Sequence, residues 1–281
     1  MKQLLAGLCL FGALNAHAAL VVTTSNDGSA IANNIIGDDV TVDVSSINYI
    51  GVDDQAGFFS GGISAGLGID SGIILTSGNA NLAVGPNAQT GASAGLGTAG
   101  SAALNTLSGG STNDANSLSF EFTTSTGNLF FNYILASEEY NEFLNFADPF
   151  ALLVNDVNIA LAPDGGIVSV GTVNCGSSGI DLSGPNCSSF NNNENGTFDI
   201  EYDGFTDVFQ ASVFGLGAGT HTIEFVIADF SDSALDSAVF IEADSFSGTA
   251  PPTTVSAPAS IAGFGVLLAA FVSIRRKRTL V

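Results

Sequence analysis

Between about residues 40 and 242 the chain alternates short apolar segments with clusters of Gly, Asn, Asp and Ser. Val40–Val44, Leu118–Phe122 and Ile223–Ile227 alternate apolar and polar residues with a period of two, the pattern of a strand with one face in a core and one in water. Gly72–Thr76, Leu129–Ala136, Phe150–Val154 and Ala238–Ile241 are continuous apolar runs of strand length, as expected of strands buried on both faces. No stretch sustains a helical period, and only short helical pieces are expected, near Ile31–Ile36 and Glu138–Phe143. Many short strands punctuated by Gly-rich turns predict an all-β fold, a β-sandwich or jelly roll. Residues 85–116 carry Gly, Ala, Ser, Thr and Asn with almost no bulky side chain, and read as a long, weakly ordered excursion whose burial does not obviously offset its ordering entropy.

The two ends follow other patterns. Lys2, an apolar run from Leu4 to Leu14 and the small-x-small triplet closing at Ala18 form a signal peptide over 1–18, cleaved after Ala18. The run is shorter than the roughly 20 residues needed to cross a bilayer. At the other end a Pro, Thr and Ser-rich stalk with a sorting motif (248–258) leads into an uncharged segment read as a transmembrane helix (259–274). A basic tail, 275–281, follows. Arg275, Arg276, Lys277 and Arg278 hold it on the cytoplasmic side, so the domain over 19–247 faces outward, in agreement with the signal peptide.

Those four residues and Lys2 are all the Lys and Arg in the chain. All 27 acidic residues lie between Asp27 and Asp244, so the exported domain has a formal charge of −27. Such a domain repels nucleic-acid phosphates and anionic lipid headgroups. Solvent ions or bound cations must offset the charge, and hard carboxylate and amide oxygens suit Ca²⁺. A surface adapted to salty water is the competing account. With 46% hydrophobic residues and 21 Phe, the acidity does not signal disorder.

Acidic residues gather in three places, each beside an apolar strand: Glu138–Glu142 with Asp148, Glu201–Asp203, and Asp229–Asp236. Loops collect at the ends of a sandwich, so these groups can meet there and supply the six to eight oxygens Ca²⁺ takes. Asp229, Asp232 and Asp236 are the leading candidate ligands, with Glu139, Asp148 and Asp203 as further ones; solvated loop acids are the alternative. Their spacing matches no EF-hand loop. Cys175 and Cys187, the two cysteines of the exported part, are expected to form a disulfide in an oxidising compartment.

Glu138 or Glu139 with Asp148 or Asp203 could also form the carboxylate pair of a glycan hydrolase. The rest of the usual catalytic equipment is missing: the exported part has one histidine, His221, and no Lys for a Schiff base. The expectation is therefore a non-enzymatic protein. A carbohydrate-binding module is a third reading, weakened by the absence of Trp and the presence of four Tyr.

In these segments the chain resembles the choice-of-anchor L domain proteins of bacterial surfaces. The resemblance is carried, in order, by Ile69–Gly78 (IDSGIILTSG), Asp114–Phe122 (DANSLSFEF), Ala136–Tyr140 (ASEEY), Tyr202–Thr206 (YDGFT), and Ile227–Asp229 with Asp236–Phe240. It implies an extracellular domain joined to a C-terminal anchor and names no activity. The tail is similar to PEP-CTERM sorting signals. Its motif keeps Val255 and Pro258 and replaces the central Pro-Glu, and the resemblance implies recognition by an exosortase in a Gram-negative bacterium that makes exopolysaccharide. Together these features point to an exported protein of the envelope or extracellular matrix, anchored at least transiently in the inner membrane, calcium-stabilised, with an adhesion or matrix role.

Overall fold

A computed structural model describes residues 19–251. The expected signal peptide with its cleavage at Ala18, the expected sorting-motif residues Val255 and Pro258, the expected span and the basic tail lie outside the described residues. Among the described residues no helix is long and apolar enough to cross a membrane.

In chain order the strands are β1 (Val21–Thr24), β2 (Val40–Ile50), β3 (Ala56–Ser60), β4 (Ser71–Thr76), β5 (Thr112–Thr124), β6 (Leu129–Ser137) and β7 (Pro149–Val154). They continue with β8 (Val157–Asn158), β9 (Val168–Ser169), β10 (Phe190–Asn192), β11 (Gly204–Thr206), β12 (Phe209–Val213), β13 (His221–Phe230) and β14 (Ser237–Glu242). One sheet runs β1-β3-β4-β14-β6-β11-β10, with β12 also paired to β6; the other runs β2-β5-β13-β7-β8, with β9 also on β7. All these pairings are antiparallel. The expected all-β sandwich is the observed architecture.

The two kinds of apolar pattern have distinct causes. In β5, Leu118, Phe120 and Phe122 point into the core between the sheets, while Glu121 faces water. In β6, Phe131, Tyr133 and Leu135 enter that same core, whereas Ile134 and Ala136 enter a second cluster on the outer face, with Phe59, Ile74, Tyr202, Phe205 and Phe240. Loops 61–70 and 198–203 supply part of that outer layer, through Ala65, Leu67, Ile69, Ile200 and Tyr202, so the central strands of the first sheet are apolar on both faces.

At the centre of the inner core, Phe246 packs against Phe122 and Phe120 with ring centroids 5.2 and 5.4 Å apart, and also meets Phe131 and Phe225. Helix α1 (Gly28–Ile35) begins at Asp27, whose carboxylate accepts from the N–H groups of Ser29 and Ala30, and it buries Ile31, Ala32 and Ile35. Helix α2 (Gly62–Ala65) is a single turn in the outer layer.

Two expectations need correction. Residues 138–146 form bends and turns without a helix, where the chain leaves β6 of one sheet at Ser137 and crosses to β7 of the other. Residues 85–116 are ordered: helix α3 (Ala102–Ser108), capped by Ser101 and stopped by Gly109 at φ 76°, lays Leu104 on Ala151, Leu153, Val226 and Ala228. The segment before it is held by a device that composition does not reveal, described next.

Candidate cation site at the acidic end of the sandwich

Strand register brings the three acidic groups together. Ser137 at the end of β6 pairs with Ser237 at the start of β14 and with Gly204 at the start of β11. In the second sheet, Asp229 pairs with Asn113, and Ile227 pairs with Phe150 at the start of β7. One end of the sandwich therefore carries Asp114, Glu138, Glu139, Asp148, Asp203, Asp229 and Asp236, all buried. The register of β13 against β5 shifts between Ile227 and Asp229. Asp232 follows on the half-buried loop between β13 and β14.

Some of these carboxylates hold the segment 87–98. Asn87 Nδ2 donates to Asp203 Oδ1 at 2.6 Å, and the N–H groups of Ala88 and Gln89 donate to the two oxygens of Glu201 at 3.1 and 2.9 Å. Farther along, Ala92 N–H donates to Glu138 Oε2 at 3.2 Å and Ala94 N–H to Asp236 Oδ2 at 2.9 Å. Leu96 N–H reaches Asp114 Oδ2 at 2.9 Å, and Thr98 N–H reaches Asp114 Oδ1. A segment with few bulky side chains is thus strapped across the acidic end through its own backbone. Hydrogen bonds to charged acceptors are stronger than neutral ones, and they replace the side-chain burial the segment lacks.

Asp148 is committed elsewhere: it accepts from Phe230 N–H and from the Ser237 hydroxyl, each at 2.7 Å. Glu139, Asp229 and Asp232 differ. Both oxygens of Glu139, both of Asp229 and Oδ1 of Asp232 are buried without a hydrogen-bond partner, as is Oε1 of Glu138. The Ser77 hydroxyl is close enough to Asp229 to lower its pKa, without hydrogen-bond geometry.

Burial and mutual repulsion set the protonation of the cluster. Burial raises Glu139 to about 9, with further repulsion from Asp232 and Asp229. Burial likewise raises Glu138 to about 9, with Asp203 adding and the Ala92 N–H opposing. Asp229 rises to about 8 through burial, with Asp236 among the charges that add. Asp148 is held well above the usual range by burial and by Asp229. Asp203 and Asp236 rise only to about 6, because Asn87 and the Ala94 N–H respectively relieve part of the desolvation. No Lys or Arg is available among residues 19–251 to balance this charge.

The family's sequence model, for the Choice-of-anchor L domain, matches residues 21–247. The chain belongs to that family. Membership makes it a cell-surface-associated protein. No curated protein and no solved structure matches the chain. The segments that carry the family resemblance supply Asp114, Glu138, Glu139, Asp203, Asp229 and Asp236, and in this Choice-of-anchor L domain they converge on one end.

Of the six candidate ligands read from the sequence, then, Asp203 and Asp236 anchor the strap, Asp148 is bonded within the core, and Glu139, Asp229 and Asp232 retain free oxygens. Among the described residues no three His, Cys, Asp or Glu side chains are gathered into a ready metal-holding set. Sequence reasoning did not single out Asp114 as a site residue; its signal was a lone Asp in the otherwise neutral run that opens β5. Cys175 and Cys187 are joined by a disulfide with Cα atoms 4.5 Å apart.

Proposed function

We propose that this Choice-of-anchor L protein is a non-enzymatic adhesion or matrix component, exported, processed at its C-terminal tail by an exosortase-type enzyme, and stabilised by Ca²⁺. The observation that carries this reading is the pairing of a family domain over 21–247 with a chain whose only Lys and Arg residues lie outside it. An acidic face meets anionic exopolysaccharide through bridging divalent cations, which ties matrix association to calcium.

A non-catalytic role is supported by what the candidate carboxylates do. Glu138 and Asp203 bind the strap and Asp148 binds Phe230 and Ser237. The test is retention of the purified protein on exopolysaccharide from the native cell surface, in Ca²⁺ and in EDTA. Retention in Ca²⁺ that EDTA abolishes supports the reading; equal passage through the column in both overturns it.

A further inference from the structure

Six orphaned oxygens at the acidic end belong to Glu138, Glu139, Asp229 and Asp232, groups that when ionised only accept hydrogen bonds or bind cations; the Tyr202 hydroxyl beside them is unpartnered as well. Had the site evolved only to hold the strap, Glu139 and Asp229 would be expected to have donors, as Asp114, Glu201 and Asp236 do. Instead they are buried with no exposure at all and nothing bonded to either oxygen. Buried carboxylates without donors are costly unless a cation or a proton neutralises them.

From this geometry we infer that Glu139, Asp229 and Asp232 are the ligands of one divalent-cation site, suited to Ca²⁺, and that Asp203, Asp236 and Asp148 support it without coordinating. Glu139 and Asp232 lie on bends just past β6 and β13 while Asp229 is fixed in β13, and the charges of Asp232 and Asp229 both act on Glu139. Ca²⁺ tolerates irregular, mixed carboxylate and carbonyl shells, and the bends offer backbone carbonyls to complete one. Asp114 and Asp236 have both oxygens engaged by the strap, whereas Glu138 accepts from Ala92 through Oε2 alone and leaves Oε1 free to add to the shell.

This assignment rests on the calcium part of the proposed function and not on the matrix part: a protein that binds Ca²⁺ but ignores exopolysaccharide loses the second and keeps the first. The experiment is calorimetric titration of CaCl₂ into the purified protein at fixed ionic strength, with Tm measured in EDTA, in millimolar Ca²⁺ and in matched NaCl. Wild type should bind saturably with one site and gain several degrees in Tm over matched salt. Glu139→Gln and Asp229→Asn should each weaken binding at least tenfold while melting in EDTA no lower than wild type, since an amide relieves the repulsion. Asp236→Asn should keep Ca²⁺ affinity within a few-fold, and Asp164→Asn, at an exposed turn, should behave as wild type. No saturable binding by wild type, or wild-type affinity in both Glu139→Gln and Asp229→Asn, overturns the assignment, as does a loss in Asp236→Asn as large as theirs. If a variant does not fold, the wild-type titration still decides whether a site exists.

Discussion

Glu139, just past the end of β6, lies within electrostatic reach of Asp229 in β13, and none of the pair's four carboxylate oxygens meets a hydrogen-bond donor. Glu139 follows a strand of one sheet and Asp229 belongs to the other, so repulsion between their ionised forms acts between the two sheets rather than within a single loop.

The pH dependence of stability follows from the raised pKa values. A carboxyl whose folded pKa lies above its unfolded value binds more protons when folded, so its contribution to stability is fully present below the unfolded pKa and is lost as pH rises through the folded one. With Glu138 and Glu139 at about 9 and Asp229 at about 8, Tm in EDTA should fall steadily between roughly pH 5 and pH 9. A cation competes with those protons, so the gain in Tm from Ca²⁺ should be larger at the alkaline end. A flat EDTA profile across that range would contradict the buried, unbalanced cluster.

Gly78 adjoins the Asp236 carboxylate so closely that a Cβ there would overlap it. Gly78→Ala should displace Asp236 from the Ala94 N–H and cost about 1–3 kcal/mol, the usual range for overpacking. Hydrogen exchange locates the damage: the amides of Ala92, Ala94 and Leu96 should lose protection while those of β13 keep it.

Phe246 joins four other Phe rings in the inner core and is fully buried. Phe246→Ala should destabilise the domain by about 3–5 kcal/mol, a fall in Tm on the order of 10 °C for a domain of this size. Thermal melts in Ca²⁺ and in EDTA should show the same loss, because the core lies away from the acidic end.

The exported domain offers trypsin no cleavage site, since residues 19–251 contain no Lys or Arg. Even urea-denatured protein should resist trypsin, whereas a chymotryptic protease should cut it at its Phe residues once unfolded. Internal tryptic fragments would show a different mature form.

Intact-mass analysis of protein released from the cell surface tests tail processing. The expected mass lacks both the segment through Ala18 and the residues from the span to Arg278. Retention of the whole tail would instead indicate a plain membrane anchor.

The sequence by itself determined the seven longest apolar strand segments, the all-β class, the family and the complete separation of acidic from basic residues. Those properties reside in local periodicity, order and count, as with Leu118, Phe120 and Phe122 on one face of β5 or the continuous run of β6. The shortest strands, such as β8, β9 and β11, escaped it because two or three residues carry no period of their own and pair only where longer strands already stand. Only the tertiary structure separated the acids by role. An aspartate that meets Ala94 N–H and one that meets nothing look alike in sequence; what distinguishes Asp236 from Asp229 is which backbone donors cross the end of the sandwich. That crossing also explains why 87–98 looked unstructured: the order of the strap comes from carboxylates contributed by other strands and loops, and the side chains of the strap itself carry no trace of them.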